Sequence, residues 1–233
     1  MKLTQTHIEE LYKFTKKHYV EYYDVQTELV DHLANDIETI CLANPKLSFD
    51  DARDTSFKKF GIFGFMDVVE QKQSQMTKKY FKIILNFAKE WFKLPKIILT
   101  ALLFIGFYQL QNTPNAYTIY STVFGFIFLA QVILTIINAR KLKKEFKTTK
   151  RKWLFKNIIN VKGLIYAAFI SIYSFQYLFP NNTKDFLLMG DFRKAFSAFF
   201  ITFLVIFGYI TLVVIPKKAE ELLEETYPEY KLI

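Results

Sequence analysis

The chain has 233 residues, 52% of them hydrophobic, with 31 Lys and Arg against 22 Asp and Glu. The charge is uneven: residues 1–77 hold 9 basic against 13 acidic side chains, and the remainder holds 22 against 9. A basic excess beside apolar stretches suits anionic lipid headgroups; with no arginine-rich arm or recognised nucleic-acid motif, no nucleic-acid partner is expected. The lone cysteine, Cys41, rules out an intrachain disulfide and fits a reducing compartment.

The opening segment MKLTQTHIEELYKF is polar and lacks an apolar signal core, so no cleaved signal peptide is expected. The first membrane span then serves as the insertion signal. Residues 1–77 read as a compact helical domain. Thr6 and Glu9 have capping-box spacing, which predicts a helix start near His7, with Ile8, Leu11, Tyr12 and Phe14 as its apolar stripe. A second helix is predicted from Tyr22 to Ala43, because Val25, Leu29, Leu33, Ile37, Ile40 and Cys41 recur at three- and four-residue steps. Asn44-Pro45 ends it, since a residue before proline is pushed out of the α region. Ser48 caps a short third helix, Asp50 and Asp51 suit its N-terminal dipole, and Ala52, Phe57 and Phe60 face inward. Gly61 stands where a left-handed C-cap residue belongs.

A fourth helix is predicted from near Gly64, reaching as far as Lys93. In residues 78–93, Phe81, Ile84, Leu85, Ala88 and Phe92 share one face, and Lys78, Lys79, Lys82, Lys89 and Lys93 supply the charge. Trp91 sits where an aromatic belt is expected. Such a basic amphipathic helix can lie in the membrane interface. The alternative is one continuous helix joining the domain to the membrane. Pro95 marks a possible kink or break on entry to the first span.

Residues 94–215 hold apolar stretches at Leu94–Leu110, Ala116–Asn138, Ile158–Phe179 and Ala195–Ile215. Each approaches or exceeds the ~20 residues that carry a helix across a hydrocarbon core of ~30 Å. Backbone groups in lipid must be paired within the segment, so every span should be helical. The fold class expected is therefore all-α: a polytopic membrane protein with a small cytoplasmic N-terminal helical domain and a four-helix transmembrane bundle. Gln131, Asn138 and Lys162 are the notable polar residues of the spans, and Gly163, Ala167, Ala168 and Ser171 give the third a small-residue face. No Asp or Glu lies inside a span, which disfavours an ion-coupled pump. Residues 216–233 form an acidic tail.

Lys and Arg placement sets the orientation. Arg140, Lys141, Lys143, Lys144, Lys147, Lys150, Arg151, Lys152 and Lys156 fall between spans two and three, read as a basic loop facing lipid headgroups. Gln111–Asn115 carries no positive charge, and the next connection carries only Lys184, Arg193 and Lys194, beside Asp185 and Asp191. The positive-inside rule then puts both termini in the cytoplasm.

One segment stands out in the N-terminal domain. Asp24, Glu28, Asp31 and His32 follow at helical steps, with Asp36 a turn further on. Three readings are open. His32 packs at the core edge beside Leu29 and Leu33 with a nitrogen bonded to Glu28 or Asp36; or the face docks a partner or senses pH, as histidine near carboxylates can; or His32 joins a metal site, which needs His7 or His18 as further ligands. The residues ELVDHL, then LSFDDA and KKFG, resemble the small helical HAAS domain and the related permease-prefix domain, through Glu28, Leu29, Asp31, His32, Ser48, Asp50, Asp51, Ala52, Phe60 and Gly61. DVQTELVDHLANDIE is also similar to membrane proteins of flavobacteria and their relatives. The resemblance covers about residues 20–75 and implies a cytoplasmic domain ahead of membrane helices, acting in envelope signalling or transport regulation.

Enzyme signatures are absent: no phosphate-binding glycine loop, no nucleophile elbow, no HExxH. Cys41 falls on an apolar helix face, as a core residue does. The chain is expected to be non-enzymatic, without cofactor or metal, and regulatory or scaffolding, with a protein partner or a second copy docking on the face of Asp24, Glu28, Asp31, His32 and Asp36. The alternatives are an oligomeric pore lined by Gln131, Asn138 and Lys162, or a small transporter accessory subunit.

Overall fold

The structure is a computed structural model that describes residues 2–179, 182 and 186–227. Lys184, Asp185 and the segment from Pro228 onward, both part of the sequence argument, lie outside the described residues. All regular elements among the described residues are helical. The chain forms two compact units, one of residues up to Lys78 with Glu145–Lys156, the other of Lys79–Lys144 with residues from Asn157 on.

The first unit is built on α2, Tyr23–Ala43, against which α1, Gln5–Lys17, and α3, Phe49–Lys58, both pack. Val25, Leu29, Leu33, Ile37 and Cys41 are all buried, so the predicted stripe is the seam of the core; Ile40 is half-buried at its edge. Helix α1 starts two residues before His7. Thr4 holds extended backbone and its Oγ accepts the His7 N–H, while His7 Nδ1 accepts the Thr4 N–H, both at 3.3 Å. The capping box is thus Thr4 with His7, an imidazole filling the role expected of Glu9. Ser48 caps α3 as expected, its Oγ accepting the Asp51 N–H at 3.2 Å. Gly61 and Gly64, at φ +77° and +57°, reverse the chain into α4, Met66–Lys89. Phe57, Phe60 and Phe65 close this corner edge to face, with centroids 4.8 and 4.9 Å from Phe65. The segment 151–154 completes the unit. Tyr23 N–H donates to Lys152 O at 2.7 Å, and Trp153 packs on the Tyr23 ring at 5.5 Å.

In the second unit, α4 ends in a turn of 3-10 helix, Glu90–Phe92, and the chain breaks before α5, Lys96–Leu110. The helix through Phe92 and α5 meet at 86°, so no continuous helix passes Pro95. With 15 residues, α5 rises only ~22 Å and is short for a span by itself. Among the described residues, three helices are long and apolar enough to cross a membrane: α6, Ala116–Thr149; α7, Leu154–Gln176; and α8, Asp191–Lys217. Counting the bent α4–α5 pair as one span gives a fourth.

Helix α6 has 34 residues and does not stop at Asn138. Lys, Arg and Glu are good helix formers, so the change from apolar to basic composition marks a change of surroundings without ending the helix. The connection to α7 is therefore short. Helix α5 packs along α8. Tyr120, Phe179, Phe186, Ile201 and Leu204 form a core there, and Tyr120 Oη donates to Phe107 O at 2.9 Å. The ring of Tyr80 lies directly on Gly163, where an added Cβ would overlap it. Gly208 likewise admits Ile127, whose Cγ2 would lie 3.0 Å from a Cβ. Both α7 and α8 contain a π-turn, at Ile158–Lys162 and Ile210–Val214. Asn138 Nδ2 donates to Asn160 O in the first of these at 2.9 Å, pairing a carbonyl that the wider turn loosens. Helix α9, Ala219–Thr226, buries Ala219 and Leu223.

Candidate functional site

Helix α2 presents the five candidate positions Asp24, Glu28, Asp31, His32 and Asp36 to different surroundings. Asp24 is buried, and its Oδ1 accepts the Leu154 N–H at 3.1 Å, the first amide of α7. It closes a helix end of its own chain and does not stand on the open face. Glu28 pairs with Lys72 at 2.6 Å, and Asp36 with Lys59 at 2.6 Å. The Lys59 ammonium, with help from the Ser56 hydroxyl, holds the Asp36 carboxyl below its ordinary pKa against a smaller effect of burial. Asp31 and His32 are exposed, and among the described residues neither makes a hydrogen bond or an ion pair.

His32 thus does not sit at the core edge bonded to Glu28 or Asp36, because each carboxylate is taken by a lysine. The other histidines are spoken for as well. His7 caps α1 and stacks on Phe49 at 4.4 Å. His18 Nδ1 lies 2.9 Å from Phe14 O, and its ring joins Phe57 at 4.5 Å. Neither reaches His32, and among the described residues no three His, Cys, Asp or Glu side chains gather as a metal site would require.

What α2 forms with its neighbours is an open groove of about 440 Å³. Leu29, Phe60 and Val68 supply its apolar lining, and Glu28, His32, Asp36 and Lys59 its polar one. Lys59 and Lys72, which set the charge of this groove, are absent from the sequence-level site. They lie on other elements, and no helical spacing connects them to Asp36 and Glu28.

The basic residues also divide. Arg140, Lys141, Lys143, Lys144 and Lys147 are exposed along the last turns of α6, and Lys150 is exposed just past it. Arg151 lies over the Tyr23 ring at 4.6 Å, and Lys152 pairs with Glu21 at 2.7 Å. Those two make their contacts within the first unit. Within the spans, Gln131 is fully buried and its Oε1 accepts the Ser171 hydroxyl at 3.3 Å. Asn138 is bonded to Asn160 O, so both amides join neighbouring helices instead of facing an open lumen. Comparison of the chain with protein-family models, with curated proteins and with solved structures returns no match.

Proposed function

We propose that the chain is a non-enzymatic regulatory or scaffolding protein of a bacterial inner membrane, with residues 1–77 as a cytoplasmic docking domain. The observation that carries this is the α2 groove. Its carboxylates Glu28 and Asp36 are neutralised by lysines, while His32 on its lining has no bond of its own beside Leu29, Phe60 and Val68. A side chain left unpaired at an apolar concavity is free to recognise a partner protein or a second copy. The likeness of this region to the HAAS and permease-prefix domains points the same way.

In this reading the protein spans the bilayer four times, the bent α4–α5 pair counting as one span, with both termini cytoplasmic. Arg140 to Lys147 then meet anionic headgroups. Alkaline phosphatase fused after Asn115 should be active; inactive fusions there would invert the topology. In-cell crosslinking should recover one defined partner, or a dimer of the chain, from wild type and lose it with Asp31→Ala/His32→Ala. A folded double variant that keeps the same crosslinks would return His32 to a passive surface role.

A further inference from the structure

A second cavity of the first unit, about 280 Å³, has an unusual rim. It is lined by the ends of two helices and the turns that follow them. Tyr19, just past α1, has φ +66°, and Lys150, just past α6, has φ +58°. Both occupy the left-handed position that ends a helix: the Val20 N–H returns to Thr15 O at 3.2 Å, and the Lys150 N–H to Phe146 O at 2.9 Å. Glycine takes this position without steric cost, and bulky residues there are uncommon. Here the chain keeps a tyrosine that is 81% exposed and an exposed lysine, both on one cavity.

Charge gives a separate argument. The lining holds Lys16, Lys150 and Lys152 against Glu21, in a domain whose residues 1–77 are net acidic. Lys152 is paired with Glu21, but among the described residues the ammonium groups of Lys16 and Lys150 make no ion pair or hydrogen bond. The two helix C-termini contribute roughly half a negative charge each, so about one of the two excess positive charges survives. Tyr19, Tyr23 and Phe146 add aromatic surface. Unpaired ammonium groups beside aromatic rings recognise a phosphate carried on a flat or apolar body.

We propose that this cavity binds a small soluble phosphomonoester, its phosphate held by Lys16 and Lys150 and its body against the exposed ring of Tyr19. The proposal is independent of the α2 groove. The test uses the full chain in detergent and phenyl phosphate as the probe, with sodium chloride at matched ionic strength as the control. Wild type should show a saturable rise in melting temperature. Lys16→Gln and Lys150→Gly should each weaken the apparent affinity roughly tenfold, the loss of one charge-assisted bond, while Lys144→Gln should not. Lys150→Gly should also raise the melting temperature without ligand, because glycine removes the steric cost at φ +58°, so lost binding cannot be lost folding. A wild-type response no larger than that of sodium chloride, or equal responses from wild type and both cavity variants, overturns the proposal. Nanodiscs with phosphatidic acid separate the two sources of the group. An unchanged phenyl phosphate response there supports a soluble ligand, and its disappearance assigns the site to a lipid headgroup and overturns the ligand proposed.

Discussion

Asp24 offers the sharpest test of how the first unit is closed. Its Oδ1 accepts the Leu154 N–H at 3.1 Å across 130 residues of sequence, in a buried setting. Asp24→Ala removes the cap and leaves an amide without a partner away from water. Losing a capping side chain costs ~0.5–2 kcal/mol and stranding a buried donor ~1–3 kcal/mol. These describe the same bond, so they are not summed, and about 2 kcal/mol is expected. Asp24→Asn keeps an oxygen at the acceptor position and gives up only the attraction of a full charge to the helix N-terminus, ~0.3–1 kcal/mol. Hydrogen exchange of a peptide covering residues 151–158 separates the two. Exchange through local opening should speed up about 30-fold in Asp24→Ala and only about two- to fivefold in Asp24→Asn. Equal acceleration in both variants, or acceleration everywhere except residues 151–158, would refute the capping role.

Other outcomes follow from single contacts. Gly163→Ala should destabilise the chain by ~1–3 kcal/mol through overlap with the Tyr80 ring, and Tyr80→Ala in the same chain should remove most of that penalty in a double-mutant cycle. Tyr80→Phe should melt at or above the wild-type temperature, because the buried Tyr80 hydroxyl has no hydrogen-bond partner. Gln131→Leu should cost ~1–3 kcal/mol in detergent melting, because it strands the buried Ser171 hydroxyl that donates to Gln131 Oε1, and Gln131→Leu/Ser171→Ala should recover most of that loss. Asp36→Asn should cost no more than ~1 kcal/mol at pH 7, the pair with Lys59 being partly exposed. The folded carboxyl titrates below its unfolded value, so this contribution is complete above the ordinary carboxylate pKa. It fades as pH falls through the lowered one. A difference between wild type and Asp36→Asn that grows on acidification would contradict the assignment.

The elements easiest to read in the sequence are those whose cause is local. Leu29, Leu33 and Ile37 repeat every four residues, and the helix they predict is the one that forms. Ser48 and Asn44-Pro45 act within a turn of where they stand, and their effects were equally legible. The end of α6 was not. Hydropathy falls sharply after Asn138, but Arg140 to Lys147 favour helix as much as the apolar residues before them, so the drop reports the environment and leaves the backbone unchanged. The acidic face of α2 was legible as a set of positions but not as a set of partners. Asp24 answers to Leu154 and Asp36 to Lys59, and no periodicity links residues on separate elements. Thr4 lost the capping role to Thr6 in the sequence argument because histidine is not the residue a capping box is searched for.

The π-turns in α7 and α8 bear on how these helices tolerate change in length. A π-turn accommodates one residue more than the α-helical ladder around it. Deleting one residue within Ile158–Lys162 lets that turn relax to α geometry and leaves the buried residues Leu164 and Ala167 facing their present neighbours. The same deletion between Ala168 and Ser171 has no slack to draw on. It rotates the rest of the helix by about 100° and turns Ser171 away from Gln131. Each of these two helices therefore carries one site where the chain can be shortened without being re-registered.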